Sequence, residues 1–518
     1  MAILSFSFFA LVLILLLLYY VTPHKYRWVH LLIGSIVFYI LSSKWLVIFP
    51  LLTTTVIYFV GLALDRDNEK VAELKTSDFS DDEKKVLKEK YKKEKKKVVG
   101  IGVIASILLL IGTKYAGFIL ENLNSVFRLF DSDANLSVGK LLVPLGISYY
   151  TLEAISYVVD IYRGKMKADR NFLHVLLYLL YFPKVVEGPI SRFHELKEAF
   201  FENNKLDFAN ITVGADLIMY GLFKKMVIAD RAGIFVNQVF SSITGGFITL
   251  LAMVLYTVQI YAEFGGCIDI VRGVSYLFGI KLPLNFRQPF FSKSIQEFWQ
   301  RWHMSLGAWI KEYVFFPISL SRMNAKVTKF CREKLSPRLF KFVTIAFPLF
   351  FVWIVNGIWH GASYKYVIYG MYYYIVMMIA LLVKPWTDKI LEKFKMNEHI
   401  LSCWRIFRTC VLVIIGMTLF RASTLNEFGT TMISLFKRGD DIMKYGLVTI
   451  DFVILIVGNL FVLGVSVAEE KKKISLEEGF TWKPWVRAVV YTFILCSLII
   501  FGVYGEGYDP SQFIYGAF

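Results

Sequence analysis

The chain has 518 residues, of which 56% are hydrophobic and 19% are charged, and its mean hydropathy is +0.54. Globular proteins are about 45–50% apolar and about 25% charged, so this composition excludes an ordinary soluble protein and predicts an all-α polytopic membrane protein. The net charge of +17 favours basic cytoplasmic loops over nucleic-acid binding, because the cytoplasmic loops of membrane proteins collect Lys and Arg.

The N-terminal part of the chain alternates long apolar runs with short polar turns. A helical span needs about 20 mostly apolar residues, and this pattern predicts five spans: Ile3–Tyr20, Trp28–Leu41, Trp45–Leu64, Val98–Leu120 and Leu141–Tyr162. Asp65–Lys97 interrupts the series with acidic and basic residues at helical spacing, which predicts a solvated helix in a charged cytoplasmic loop. With this loop inside, the positive-inside rule places the N-terminus outside.

The apolar pattern becomes irregular after the fifth predicted span. Phe172–Phe182 is too short for an ordinary span, and three helix-breaking residues follow it: Pro183, Gly188 and Pro189. Non-helical backbone at membrane depth is tolerated only where protein or a water-filled cavity surrounds it. This interrupted segment, which carries Lys184 and Glu187, is therefore predicted to form the wall of a cavity.

Two pairs of opposite charges lie three residues apart in apolar surroundings, Lys184 with Glu187 and Asp269 with Arg272. At this spacing, two side chains on one helix lie close enough to form an ion pair. Each pair is interpreted either as a neutral structural link or as part of a substrate pathway, and the pattern leaves both interpretations open.

Further apolar helices are predicted in the second half of the chain, at Ile211–Ile228, Phe247–Phe264, Cys267–Ile280, Phe342–Trp359, Tyr364–Val383, Trp404–Phe420, Val448–Val467 and Trp485–Val503. Gln296–Leu320 is too polar for a lipid-facing span and is predicted to lie at the inner membrane boundary or to dip into the protein. Together the segments predict roughly eleven or more transmembrane helices. They form one integral membrane domain over residues 1–518, which ends in an aromatic tail at 504–518.

Two histidines lie in apolar stretches that also contain tryptophan: His303 follows Trp302, and His360 lies in the sequence NGIWHGA. An ionisable side chain is costly in a membrane and usually has a function, although a lone histidine there is often only a satisfied packing residue. Neutral imidazole accepts and returns a proton near pH 7. We therefore predict that the two histidines meet in a passage through the membrane and serve proton transfer there.

Five stretches between Pro144 and Gly370 carry motifs in a fixed order: GISYYTLEAISYVVDIYRGK at Gly146–Lys165, RNFLHVLLYLLYFPKVVEGPISR at Arg170–Arg192, YAEFGGCIDIVRGVSYLFGIKLPLNFRQPF at Tyr261–Phe290, EFWQRWHMSLGAWIKEYVFFPISL at Glu297–Leu320 and GIWHGASYKYVIYG at Gly357–Gly370. This set resembles the membrane-bound O-acyltransferase family, in particular the alginate O-acetyltransferase-type branch that acetylates bacterial cell-surface polysaccharides. FWQRWHMSL and GIWHGA together are the most specific part of the resemblance.

The resemblance implies a fold in which broken, re-entrant and interfacial helices surround a central tunnel. It implies that His303 and His360 form the active-site pair, with His303 as the general base and His360 in a supporting role. Seven further residues are expected to line the tunnel or the substrate site: Trp299, Arg301, Trp302, Ser305, Asp269, Asn356 and Trp359. Arg301 has two expected partners, either Glu297 four residues earlier or the phosphates of an acyl donor.

The same resemblance implies that an acyl group, with acetyl favoured, moves from a cytoplasmic thioester towards a cell-surface polysaccharide. The thioester donor is expected to be acetyl-CoA or an acyl carrier, and the expected location is the bacterial cytoplasmic membrane. An extracytoplasmic acyltransferase of the SGNH-esterase type is expected as a partner; no metal site, bound cofactor or nucleic-acid partner is expected. The alternatives are D-alanyl transfer to teichoic acid, a transporter or flippase, and a non-catalytic scaffold.

Overall fold

The computed structural model describes residues 1–130, 136–137, 143–201, 206–242, 245–394, 397–439, 441–471 and 483–504. Within these residues the chain is built from helices, and the only extended pairing is an isolated antiparallel bridge between Phe286 and Trp302. The predicted all-α class is confirmed. Most of the predicted aromatic tail, 505–518, lies outside the described residues.

The α-helices follow one another along the chain at Phe6–Val21, His24–Ser43, Ile48–Glu73, Asp81–Leu110, Ala116–Leu129, Ile147–Tyr162, Phe172–Leu180, Phe193–Phe201, Phe208–Leu222, Asp230–Ser242, Gly246–Leu277, Ile295–Arg301, Met304–Ile310, Phe316–Ser319, Arg322–Lys334, Pro337–His360, Tyr364–Phe394, Glu398–Arg421, Leu425–Ser434, Thr449–Glu470 and Pro484–Phe501. Short 3-10 turns occur at Lys44–Val47, Pro289–Phe291 and Ile442–Lys444. Wider π-helical turns occur at Ile111–Tyr115, Phe223–Ala229 and Lys311–Phe315.

Eight helical stretches in the described ranges are long and apolar enough to cross a membrane, judged by length and composition: His24–Glu73, Asp81–Leu129, Gly246–Leu277, Pro337–His360, Tyr364–Lys393, Glu398–Arg421, Thr449–Glu470 and Pro484–Phe501. The predicted polytopic membrane protein is thereby confirmed. The number is below eleven partly because His24–Glu73 contains two consecutive helices. It is also lower because Phe6–Val21 and Ile147–Tyr162 have only 16 residues each.

The charged segment Asp65–Lys97 is not the single solvated helix that its charge pattern predicts. Its first part continues the apolar helix Ile48–Glu73, and its last part begins the helix Asp81–Leu110. The second helix begins there because Ser80 and Glu83 form a capping box that satisfies backbone N–H groups of the first turn. Two long helices therefore carry their charged ends into a short connecting loop.

Residues 246–277 form one continuous helix, whereas the sequence analysis predicts two helices, Phe247–Phe264 and Cys267–Ile280. Gly265 and Gly266 lie between the two predicted helices, and glycine lowers helix stability by roughly 1 kcal/mol relative to alanine. In the structure these glycines lie inside the helix, and close packing against another helix accounts for one of them.

Glycines form a contact between the backbones of Phe208–Leu222 and the long helix. A Cβ atom added to Gly266 would lie 2.7 Å from the carbonyl oxygen of Gly221, and one added to Gly221 would lie 2.5 Å from that of Gly266. The pattern repeats two turns further along, where a Cβ atom on Gly273 would lie 2.6 Å from the carbonyl oxygen of Gly214. Small residues allow this approach, as is typical of helix pairs in membranes.

The chain divides into two compact units, and the first comprises Met1–Asn210 with Val274–Pro283. Its core includes three buried phenylalanines, in which the ring centroid of Phe8 lies 5.8 Å from that of Phe38 and 6.0 Å from that of Phe182. The second unit comprises Ile211–Gly273 with Leu284–Phe518. The single domain expected from the sequence stays a prediction.

The interrupted segment after the helix Phe172–Leu180 is a series of turns, so Lys184 and Glu187 are not neighbours on a helix as predicted. Lys184 is buried and forms an ion pair with Glu153 of Ile147–Tyr162. The other carboxylate oxygen of Glu153 accepts a hydrogen bond of 3.1 Å from the backbone N–H of Ser191. This buried pair therefore attaches the turns to the helix; their predicted role as a cavity wall stays a prediction.

Candidate active site

The predicted interfacial segment is broken at the position of its histidine. The helix Ile295–Arg301 ends at the extended residue Trp302, and the next helix, Met304–Ile310, begins directly after His303. His303 has φ 49° and ψ 52°, in the left-handed region. Residues other than glycine seldom adopt this conformation, and such residues cluster at functional sites.

A neighbouring segment of backbone holds this break in place. The N–H of Arg287 donates to the carbonyl oxygen of Arg301 at 2.9 Å, and the N–H of Met304 donates to that of Asn285 at 2.9 Å. Between these two bonds lies the antiparallel bridge of Phe286 and Trp302. The bridge satisfies backbone groups that the interrupted helix leaves without partners.

Asn285 is fully buried beneath the histidine. Its side-chain oxygen Oδ1 accepts hydrogen bonds from the N–H of Ser305 at 3.1 Å and from the hydroxyl of Ser305 at 2.9 Å. The same oxygen lies 3.1 Å from Nδ1 of His303. One amide oxygen thus holds three groups on the two residues that flank Met304.

The ring of His303 lies between two aromatic residues and is 3% exposed. Its centroid is 4.9 Å from that of Phe264 and 5.6 Å from that of Trp359. Its Nε2 atom has no hydrogen-bond partner among the described residues. His303 lies outside the candidate membrane spans. Burial, with a smaller effect of His360, lowers its pKa well below the usual imidazole value.

The second histidine is the last residue of the helix Pro337–His360, and Gly361 separates this helix from the next one. His360 is 4% exposed, and its ring centroid lies 5.0 Å from that of Trp359. Trp359 also contacts His303, so this indole lies against both imidazole rings. The predicted meeting of the two histidines in a passage through the membrane stays a prediction. Asn356 is buried one turn earlier on the same helix, and its Oδ1 has no partner in the described part of the chain.

Residues 166–332 match the family described as MBOAT, membrane-bound O-acyltransferase family. The chain is 30% identical over 433 residues to a probable alginate O-acetylase AlgI of Pseudomonas syringae pv. tomato, over 82% of this chain and 72% of that protein. The chain belongs to the membrane-bound O-acyltransferase family. It is therefore a multi-pass membrane protein and an O-acyltransferase, as the sequence analysis predicts.

Two further proteins are similar to the chain over shorter lengths. A peptidoglycan O-acetyltransferase of Helicobacter pylori is 29% identical over 355 residues, which are 63% of this chain and 62% of that protein. A teichoic acid D-alanyltransferase of Bacillus subtilis is 31% identical over 249 residues, which are 47% of this chain and 60% of that protein. The predicted polysaccharide O-acetylation branch of the O-acyltransferase family is confirmed.

Three of the predicted site residues of this O-acyltransferase lie in one cluster with the histidines: Trp302, Ser305 and Trp359. Trp302 is almost fully buried, and its ring is stacked on that of Phe298 with centroids 5.4 Å apart. Trp299 packs its ring against Tyr373, with centroids 4.9 Å apart, and its indole N–H has no partner in the described ranges. Of the three tryptophans, Trp359 is the one whose ring contacts both imidazoles.

Arg301 has carboxylate partners on two helices. It lies 2.8 Å from Glu297, the partner that its spacing predicts, so that pairing is confirmed. It also donates two hydrogen bonds to Glu470, at 2.7 and 3.0 Å, in the bidentate geometry that suits a guanidinium and a carboxylate. Glu470 ends the helix Thr449–Glu470, so Arg301 joins that helix to the segment that carries His303.

Asp269 belongs to a separate group of charges and tyrosines. Its carboxylate lies 2.5 Å from Nζ of Lys224. That ammonium group also lies 4.8 Å from the ring centroid of Tyr220 and 5.6 Å from that of Tyr261. The carboxylate neutralises the ammonium group of Lys224, and the two ring faces attract the same cation. The expected place of Asp269 in the tunnel or the substrate site stays a prediction.

Sequence reasoning missed Asn285, although it lies in the quoted motif LPLNFRQPF. The signal was weak because an asparagine 18 residues before a histidine has no spacing that predicts contact. It also missed Lys224 as the partner of Asp269, since Lys224 lies 45 positions earlier, in the π-helical turn Phe223–Ala229. A helical pattern predicts neighbours three or four residues apart and gives no information on such distant pairs.

Proposed function

We propose that this protein transfers an acyl group, with acetyl favoured, from a cytoplasmic thioester to a hydroxyl group on the pathway to a cell-surface polysaccharide. The proposed location is the bacterial cytoplasmic membrane. The proposal is supported by the relatives named alginate O-acetylase and peptidoglycan O-acetyltransferase, whose printed names describe polysaccharide O-acetylation. The donor would be acetyl-CoA or an acyl carrier, because either presents a thioester.

The observation that carries the proposal is the buried Nε2 atom of His303, which has no partner among the described residues. A buried polar atom without a partner costs roughly 1–3 kcal/mol, so its retention favours a ligand that supplies one. In the proposed reaction Nε2 accepts the proton of the hydroxyl as its oxygen attacks the thioester carbonyl carbon. The carbon–oxygen bond forms, the carbon–sulfur bond breaks, and the proton passes to the leaving thiolate.

His360 takes the supporting role in this proposal. It orients the attacking hydroxyl or donates to the oxyanion that develops on the carbonyl oxygen. Its contact with Trp359, which also touches His303, supports a shared site. A water-poor surrounding of aromatic rings would protect the thioester and the developing ester from hydrolysis. We further propose that an extracytoplasmic SGNH-esterase-type partner completes the transfer to the sugar.

The direct test is to replace His303 by glutamine and to measure ester-linked acetate on the surface polysaccharide of cells that express each variant. Loss of a general base costs about 10²–10⁴-fold in rate, so we expect acetate to fall to the level of cells without the gene. His399→Gln is the matched control because that histidine is exposed on Glu398–Arg421. Normal acetylation by H303Q, at equal expression, would show that His303 is not the base.

D-alanyl transfer is the second candidate, supported by relatives named teichoic acid D-alanyltransferase in Bacillus subtilis and Streptococcus thermophilus. Membranes that contain the protein would be incubated with radiolabelled acetyl-CoA and, separately, with a D-alanyl-loaded carrier protein. Labelled ester formed only from the D-alanyl donor would replace acetyl with D-alanyl in the proposal. No ester from either donor, with H303Q equally inactive, would favour a transporter or scaffold.

A further inference from the structure

We propose that Asn285 is a positioning residue, which fixes the tautomer and the direction of the His303 ring so that Nε2 carries the free lone pair. The tautomer of His303 is a property of the resting protein and can be measured without turnover. Only its consequence for catalysis rests on the proposed function of His303 as the base.

The contacts of the Asn285 amide fix its orientation. Its oxygen and nitrogen have similar size, so an amide is oriented by the groups that it contacts. The backbone N–H of Ser305, 3.1 Å away, can only donate a hydrogen bond. The amide atom that faces this N–H must therefore be the oxygen, which is the same atom that faces His303 at 3.1 Å.

The orientation of this amide in turn determines the tautomer of His303. An amide oxygen accepts hydrogen bonds and cannot donate them, so Nδ1 of His303 must carry the hydrogen that points at Asn285. Burial keeps this imidazole neutral, and a neutral imidazole has a single N–H. The lone pair therefore lies on Nε2, the atom without a partner in the described part of the chain.

An amide, rather than a carboxylate, suits the position of Asn285. A carboxylate would also accept from Nδ1, but its negative charge would stabilise the imidazolium and raise the pKa of the histidine. A neutral amide orients the ring and leaves its proton affinity low, as suits a base that must be unprotonated before the hydroxyl arrives. His360, the last residue of the helix Pro337–His360, is another titratable group whose charge acts on this ring. It also lowers the pKa of His303.

The decisive measurement is solid-state NMR of the full-length protein, labelled with ¹³C,¹⁵N-histidine and reconstituted in lipid bilayers at pH 7. The chain has seven histidines, so the His303 signals are assigned as those that disappear in H303Q. We expect the nitrogen bonded to Cγ, which is Nδ1, to be protonated. The other ring nitrogen, Nε2, should be unprotonated. The opposite tautomer, an equal mixture or an imidazolium would overturn the proposal, whether or not the protein is active.

Two variants connect the tautomer to function. Asn285→Ala removes the acceptor, and we expect a mixture of tautomers in the NMR spectrum. We also expect a loss of rate of about 10–100-fold, by analogy with metal-binding histidines that lose an outer hydrogen-bond partner. Asn285→Asp keeps the acceptor and adds a charge, so we expect the single tautomer to persist and the acid limb of the pH–rate profile to move to higher pH. If N285A does not fold, the wild-type spectrum and the acid limb of N285D still show whether Asn285 positions the His303 ring.

Asn324→Asp is the matched control, because it adds the same charge on the separate helix Arg322–Lys334. It should leave both the spectrum and the acid limb of the wild type in place. Equal acid limbs for N285D and the wild type would show that the side chain at position 285 does not face Nδ1 of His303, and that result would overturn the positioning role. An inactive wild type with the expected tautomer would instead refute the proposed function and leave the positioning of the ring intact.

Discussion

Two buried polar groups in this protein differ in whether their polar atoms have partners. In the first unit, the ammonium group of Lys184 meets the carboxylate of Glu153, whose second oxygen accepts from the backbone of Ser191. In the second unit, His303 has one ring nitrogen held by Asn285 and the other without a partner in the described residues. Both groups are buried to a similar degree, so burial alone does not distinguish structure from function.

The difference between them indicates where each group acts. A buried charge that is fully paired contributes to the folded state, and removal of one partner leaves the other charge uncompensated. A buried nitrogen without a partner contributes nothing to stability and costs desolvation. The comparison therefore predicts that substitutions at the pair mainly reduce stability, whereas substitutions at His303 mainly reduce activity.

The largest effect on stability is expected from Lys184→Met. This change leaves the carboxylate of Glu153 buried without its cation, which should lower the free energy of unfolding by about 3–5 kcal/mol. The measurement is reversible unfolding in mixed detergent micelles, with H303Q as the comparison. A loss below about 1 kcal/mol would mean that the pair is not the structural link inferred here.

The double variant Glu153→Gln with Lys184→Met should regain most of that loss. It removes both charges at once, and a neutral replacement of a buried ion pair is often nearly as stable as the pair itself. The glutamine oxygen can still accept from the N–H of Ser191. A double variant as unstable as K184M would show that the lysine acts through packing, for example over the ring of Tyr178, 4.8 Å away.

The pH dependence of stability should also separate the two regions. Burial holds the pKa of His303 below its value in the unfolded chain, about 6.5. Below pH 6.5 the unfolded state binds a proton that the folded state does not, so stability falls as the pH decreases. From pH 7 to pH 5 the wild type should lose about 1–2 kcal/mol more than H303Q. Equal losses would place the histidine in a solvated environment.

The smallest effect is expected at the surface ion pair between Arg301 and Glu470. Both side chains are partly exposed, and such pairs contribute about 0.2–1 kcal/mol to stability. Glu470→Gln should therefore change the free energy of unfolding by less than about 1 kcal/mol. It should also make that free energy only slightly less dependent on salt concentration. A loss comparable to that of K184M would show that this contact contributes as much to the free energy of unfolding as the buried pair does.

The features that the sequence predicts best are those that depend on local pattern. The helical membrane class follows from apolar runs, the Arg301–Glu297 pair follows from helical spacing, and the site histidines follow from motifs that resemble a known family. Each of these depends on residues within a few positions of one another or on a similar set in relatives.

The features that the sequence predicts poorly depend on distant contacts or on competition between local preferences. Glu153 and Lys184 are 31 positions apart, so no spacing rule joins them. Gln296–Leu320 has a helical pattern throughout, yet the backbone breaks at His303 because bonds from Asn285 and Arg287 satisfy the extended form. In the opposite direction, glycines that favour a helix end are retained inside Gly246–Leu277 because another backbone packs on them.

The glycine contacts between Phe208–Leu222 and Gly246–Leu277 also restrict how the protein can move. Gly221 and Gly266 leave no layer of side chains between the two backbones, so the helices cannot slide past each other without collision of main-chain atoms. We therefore expect the two helices to move together in any rearrangement. Spin labels on their exposed faces should keep a constant separation during turnover.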